Sequence, residues 1–301
     1  MASQHSSSET SSYYVPEKSI WPIVASVGLF VTALGAANTI QQHTGVVSSN
    51  TGHYGSWLLA AGLAIIVFMI FGWFRDTIKE SLGGMNSAQL GVSYRMGMAW
   101  FIFSEVMFFA AFFGVLFYTR LLVIPWLSGA GDNAMTHEVL WPEFQAMWPL
   151  VKTPDGREFV AMGPWPLPLI NTLILLTSGV FLTIAHHAIK LGQRNKVLLN
   201  LGICIILGFS FMVVQAYEYH HAYVELGLTL NAGIYGSVFF MLTGFHGLHV
   251  TIGAILLTVM WFRTAKNHFT PENHFAFEAA AWYWHFVDVV WIFLFFVVYW
   301  L

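Results

Sequence analysis

Charge is what this sequence lacks most. Of its 301 residues, 12 are Lys or Arg and 15 are Asp or Glu, so 9% are charged, against roughly a quarter in ordinary soluble domains. A soluble fold of this size could not cover its surface with so few charges. A water-soluble globular protein is thereby excluded, and the shortage of Lys and Arg excludes a nucleic-acid binder. Cysteine is nearly absent too. The single Cys204 rules out an internal disulfide and any thiolate metal cluster within the chain. No internal repeat of the kind that marks many transporters is visible. No basic start precedes a short apolar core at the N-terminus. Six of the first 12 residues are Ser, which predicts a disordered tail over 1–18 rather than a cleaved signal peptide.

What is abundant is apolar. Hydrophobic residues make up 57% and aromatics 17%, with 27 Phe and 13 Trp, and the mean hydropathy is +0.64. This composition excludes a disordered chain and leaves a polytopic membrane protein. Crossing the hydrocarbon core takes roughly 20 mainly apolar residues as a helix. Seven stretches qualify: about 20–40, 55–74, 96–124, 167–189, 198–219, 232–262 and 276–300. They are too long, and lack the alternation, for transmembrane strands. An all-α membrane protein with seven spans is therefore expected. The longest polar connection, 125–166, carries Pro125, Pro142, Pro149, Pro154, Pro164 and Pro166 and several Trp. The prolines predict a non-helical segment, and the Trp predict that it lies folded at the interface.

Loop charges predict the orientation. With the N-terminus inside, the inner segments hold Lys18, Arg75, Lys79, Arg95, Lys190, Arg194, Lys196, Arg263 and Lys266, against Arg120, Lys152 and Arg157 outside. Nine against three satisfies the positive-inside rule. The long loop is then external and acidic, with Asp132, Glu138, Glu143, Asp155 and Glu158. It is either a docking surface for a basic soluble partner or simply a solvated loop.

Four acids fall within or beside the spans: Glu105, Glu218, Glu278 and Asp288. Intramembrane carboxylates are expensive and are functional candidates. Glu105 looks the most buried. Its helix neighbours at three and four residues are Phe101, Ile102, Phe108 and Phe109, surroundings that disfavour a charged carboxylate. A proton-holding site, a contact to another subunit and a neutral acid bonded between helices all remain open for it.

Thirteen histidines invite a metal reading. His246 and His249 share a helix face at i and i+3. The adjacent pairs His186–His187 and His220–His221 point about 100° apart and converge poorly on one ion. Glu278, His285 and Asp288 form a polar stripe on the last span. None of these has a specific metal-ligand spacing, so hydrogen bonding between helices is the favoured reading and no metal is assigned. Glu218, His246, His249, Glu278, His285 and Asp288 are expected to form an intramembrane polar network. Basic and aromatic groups gather after the second span (Trp73, Arg75, Lys79, Glu80) and after the sixth (Arg263, Lys266, His268). Such clusters suit lipid phosphates or snorkelling anchors.

Several stretches carry a family resemblance. The run from Phe277 through Glu278, Trp282, Tyr283, Trp284, His285 and Asp288 to Trp291 resembles the signature of subunit III of cytochrome c oxidase. So do Gly244–Val250, Gln215–Tyr219, Ala185–His187 and Ser104–Phe109. The likeness runs through all seven spans, from about Trp21 to Leu301. It implies a two-helix bundle (19–75) and a five-helix bundle (76–301) separated by a lipid-filled V-shaped cleft. It implies a chain without haem, copper or catalytic residues, working as a subunit of the oxidase. Electrons from cytochrome c would reach oxygen through partner subunits I and II, so that contact with cytochrome c is indirect. The chain would pack on subunit I, support proton uptake and stabilise the active site during turnover.

By the same resemblance, Glu105 matches the family's buried carboxylate. Trp73, Lys79, Glu80, His246, Arg263, Lys266 and His268 match its phospholipid contacts. Lys79 stands where many members carry Arg, which makes its phosphate contact a point charge rather than a fork. The 125–166 loop is longer than in mitochondrial members, which favours a bacterial cytoplasmic membrane. The presence of the first two spans favours the cytochrome c type over quinol oxidases. Read without the resemblance, the residues also leave open a proton-coupled transporter using Glu105 and Glu218, or a membrane cytochrome ligating haem through His246 or His285.

Overall fold

The computed structural model describes residues 18–44, 54–153 and 156–301. Apart from Lys18, the expected tail lies outside the described residues, as do Pro154 and Asp155 of the long connection. The elements are α1 (Trp21–His43), α2 (Tyr54–Leu82), α3 (Ala88–Tyr118), α4 (Ile124–Leu127), α5 (Ala134–Leu140), α6 (Leu167–Lys190), α7 (Arg194–Val224), α8 (Gly233–Ala265) and α9 (Phe275–Leu294). Wider π-helical turns continue α3 over Thr119–Val123 and α9 over Phe295–Trp300. Among the described residues there is no strand, only an isolated bridge between Lys152 and Glu158.

Seven helices are long and apolar enough to cross a membrane, and they follow the order of the seven apolar stretches. They overrun those stretches. Polar ends such as Arg75–Leu82 stay helical because nothing breaks them until Gly83–Gly84, where Gly84 takes φ +71° and ends the turn. At 1.5 Å per residue, the 29 residues of α2 exceed the roughly 30 Å hydrocarbon core. The expected domain boundary after residue 75 therefore falls inside a continuous helix.

The non-helical reading of 125–166 needs correction. Pro125 sits near the end of the helical run that starts at Ala88 and continues through the wider turns of 119–123 to Leu127, so the segment is still helical there. Between Pro125 and Pro142 the chain is free of proline, and that interval holds α5. The remainder is irregular and packs on the start of α8. Val160 N–H donates to Leu226 O, Arg157 Nη1 donates to Asn231 O, and Trp148 and Phe159 lie against Tyr235.

The chain divides into two compact units, one up to Ser93 and one from Tyr94 to Leu301. In the first, α1 and α2 pair through small residues. A Cβ on Gly35 would overlap the Leu59 backbone, and one on Gly62 would overlap Thr32. Such close backbone approach is how helices gain van der Waals contact where lipid removes the hydrophobic drive. Trp21 Nε1 donates to Asp76 Oδ2 at 2.9 Å and ties the start of α1 to the end of α2.

In the second unit the core is aromatic. Trp284 and Trp291 of α9 are fully buried. Trp284 sits where Gly208 of α7 and Gly253 of α8 leave room, with would-be Cβ atoms 2.6 and 2.8 Å from the ring. Each indole N–H finds an α6 hydroxyl at 2.9 Å, Trp284 on Ser178 and Trp291 on Thr172. The Trp residues of the signature run thus bind α9 to its neighbours.

Candidate functional site

Glu105 lies on α3 and His249 on α8, and the fold joins them. Glu105 Oε2 is 2.9 Å from His249 Nε2. His249 Nδ1 is 2.6 Å from Phe245 O. A carbonyl only accepts, so Nδ1 carries a hydrogen. Nε2 then either accepts from a protonated Glu105 or, itself protonated, donates to the carboxylate. In both forms the pair is net neutral and shares one proton across 2.9 Å. Phe108, Phe109 and Tyr283 surround the imidazole. The side chain of Glu105 is 21% exposed and that of His249 10%. Glu105 is therefore not the most buried acid; Glu218 is, at 0%.

The expected single polar network is instead a set of separate contacts. Glu218 Oε1 accepts from Tyr299 Oη at 2.6 Å. His246 is fully buried, with Nε2 on Val287 O at 3.2 Å. Glu278, in the first turn of α9, pairs with Arg95 of α3 at 3.0 Å, where a helix N-terminus also favours the negative charge. His285 Nδ1 is 3.4 Å from Asp288 Oδ2, and its Nε2 is 3.4 Å from Thr183 Oγ1. Arg95 therefore serves Glu278 rather than Glu105. Glu218 and His246 meet α9 and its continuation, His249 and Glu278 meet α3 at Glu105 and Arg95, and His285 meets α6 at Thr183.

The histidines do not converge. His246 and His249 share a face yet take different partners. His221 pairs at 3.1 Å with Glu225, the residue just past the end of α7, and His186 lies against His274 and Phe277. Among the described residues, no three His, Cys, Asp or Glu side chains come together as a metal site.

The basic group at the end of α8 has unsatisfied donors. Arg263 is 8% exposed, its guanidinium lies 4.5 Å over the Phe269 ring, and its Nε has no partner. His268 Nδ1 is likewise buried and unpartnered. Lys266 beside them is exposed. Burial, then the charges of Arg263 and Lys266, hold the His268 imidazole below the usual histidine range. Among the described residues no carboxylate pairs with Arg263, so the cluster fits an anionic headgroup. Arg194, which sequence reasoning left as a loop charge, closes the last turn of α8 by donating to Thr264 O and Ala265 O. As the first residue of α7, one turn before its apolar stretch, it carries no sequence signal of that role.

In the first unit, Trp73 and Lys79 are exposed and Glu80 is half-buried. Lys79 lies 4.0 Å from Asp76, whose other oxygen holds Trp21. His246 is a correction to the lipid set: enclosed by Phe211, Trp291 and the α9 backbone, it offers no surface to a lipid.

Comparison with known proteins agrees with this architecture. The family model for cytochrome c oxidase subunit III matches residues 11–301. Cytochrome c oxidase subunit 3 of Prototheca wickerhamii is 39% identical over 288 residues, covering 95% of this chain and 96% of the relative. The Marchantia polymorpha protein of the same name is 40% identical over 289 residues, 96% of each. That of Arabidopsis thaliana is 39% identical over 294 residues, 97% of each. Seven apolar helices in the expected order, with similarity along nearly the whole length, lead to one conclusion: the chain belongs to the cytochrome c oxidase subunit III family.

Proposed function

We propose that this chain is an accessory subunit without a redox centre. In this reading it packs on subunit I beside subunit II, holds structural phospholipids, supports proton uptake and keeps the oxidase working during turnover. It meets cytochrome c only through its partners. As a member of the family it is a multi-span membrane subunit of an oxidase; the finer roles are the proposal.

The observation that carries it is Arg263. A buried guanidinium with an unpartnered Nε, next to an unpartnered His268 Nδ1 and an exposed Lys266, leaves charged donors unsatisfied at a helix end. An unpaired buried charge is costly, and a phosphate would satisfy it. Lys79 with Trp73 and Glu80 offers a second, more exposed phosphate contact on the first unit. Of the two histidines that could ligate haem, His285 has both ring nitrogens beside protein groups; His246 keeps Nδ1 unpartnered but is fully buried, with Nε2 on Val287 O, and this enclosure supports a chain without haem of its own. The haems and copper are then borne by the partner subunits. The charge asymmetry of the loops supports an N-terminus on the cytoplasmic side, and the loop over 125–166 supports a bacterial cytoplasmic membrane.

The test is the double variant Arg263→Ala, Lys79→Ala in the assembled oxidase. The expected result is loss of tightly retained phospholipid by native mass spectrometry and a shorter working life, with the initial rate little changed. Unchanged lipid content would overturn the lipid reading.

A further inference from the structure

His285 is turned outward in the middle of a span. Glu105, Glu218, His246, His249, Glu278 and Asp288 are at most 21% exposed, whereas the His285 side chain is 42% exposed. Behind it, the Asp288 carboxyl presses on α6 where Gly179 leaves room: a Cβ there would lie 2.5 Å from Oδ2 and 3.6 Å from His285 Cε1. Beside it stands Thr183, also exposed. His285 lies ten residues into α9 and Thr183 seven residues before the end of α6. At the helical rise those are about 15 and 10 Å from the helix ends, inside a hydrocarbon core of roughly 30 Å.

The contacts that the chain gives His285 are long. Nδ1 is 3.4 Å from Asp288 Oδ2 and Nε2 is 3.4 Å from Thr183 Oγ1, against about 2.9–3.0 Å for an ordinary N–H···O bond. The Thr183 hydroxyl donates to Gly179 O at 2.9 Å, so it has no hydrogen to offer Nε2. With Nδ1–H facing the Asp288 carboxylate, a neutral imidazole presents Nε2 as a lone pair without a donor. We propose that this face of α6 and α9 docks a transmembrane helix of the haem-bearing partner subunit, one that presents a hydrogen-bonding side chain at the depth of His285. Acyl chains carry neither donor nor acceptor, lipid headgroups lie at the helix ends, and polar side chains within a span face protein or water. Val180 and Ile184 on α6 and Val289 on α9, all exposed, supply an apolar rim around the two polar groups. Docking here presupposes the assembly proposed above and names the face through which it occurs.

The test compares Val289→Trp with Val213→Trp, each chain purified with its complex in mild detergent. Both positions are exposed, Val289 one turn from His285 and Val213 on α7. Lipid accommodates an indole at either site; a helix packed on Val289 does not. Haem recovered per chain should fall by about tenfold or more for Val289→Trp and stay unchanged for Val213→Trp, with both chains present in the membrane at the unsubstituted level. A high-resolution map of the unsubstituted complex should show a partner helix with a nitrogen or oxygen within about 3.2 Å of His285 Nε2 or Thr183 Oγ1, and it decides the matter if Val289→Trp fails to reach the membrane. Equal haem recovery for the two variants, or a map with acyl chains or a second copy of this chain on His285, would overturn the docking face and leave the assembly reading standing. An unsubstituted chain recovered without haem-bearing partners would overturn both.

Discussion

Glu105 shows what separates a residue read in sequence from the same residue in a fold. Its helix neighbours are aromatic or aliphatic, and that much is legible along α3. Its partner, His249, is 144 residues away and sits beside His246 in a motif whose spacing names no partner on α3. No periodicity joins the two; only the packing of α3 on α8 does. Because His249 Nδ1–H is committed to Phe245 O, Nε2 can accept from an amide as well as from an acid. Glu105→Gln should therefore keep the bridge and most oxidase activity, and remove labelling by a hydrophobic carbodiimide. Loss of nearly all turnover in a fully assembled Glu105→Gln complex would put this carboxyl on an obligatory proton path. His249→Phe is the harsher change. It leaves the carboxyl without its partner and should destabilise the subunit by about 1–3 kcal/mol, seen as a lower Tm or easier loss of the subunit in detergent.

His268 gives a second test at this scale. Burial, Arg263 and Lys266 hold its imidazole low. A bound phosphate would neutralise the last two influences, so lipid binding raises its affinity for a proton. By linkage the binding must then strengthen as pH falls through the histidine range. Phospholipid retention compared at about pH 8 and about pH 6 should rise at the lower pH, and His268→Gln should flatten the difference. Equal pH dependence in both proteins would contradict a headgroup at this position.

Among the elements, the seven spans were legible because about 20 apolar residues have one economical conformation in lipid. Their true ends were not. Polar residues beyond the apolar stretch cost nothing as helix, and the stops are single residues such as Gly84. The helix in the 125–166 connection, α5, fits between Pro125 and Pro142, an interval long enough for two turns although the segment as a whole is proline-rich. The hairpin of α1 and α2 offers a direct check on its packing. Gly35→Ala inserts a methyl into the Leu59 backbone and should cost about 1–3 kcal/mol by overpacking. Gly163→Ala, where nothing lies within 4 Å, is the control. A thermal-unfolding series in which both variants match the unsubstituted complex would mean that α1 and α2 do not meet at Gly35.

For the molecule as a whole, what the sequence announces is membership, and what the fold adds is division of labour. The Trp and His residues of the signature run, which invite a cofactor reading, bind helices to one another: Trp284 to Ser178, Trp291 to Thr172 and His285 to Thr183. The charged groups gather at helix ends, where Arg263, Lys266 and His268 leave donors for an anion. This distribution supports the proposed reading of a subunit that holds lipids while the electron chemistry proceeds in its partners. The most direct measurement is affinity purification of this chain from its native membrane in mild detergent, followed by separation of the subunits and metal analysis of each. The account predicts two larger partners in fixed ratio that carry all the haem iron and copper, and a separated chain with neither. Stoichiometric iron or copper in this chain, or its recovery without haem-bearing partners, would contradict it.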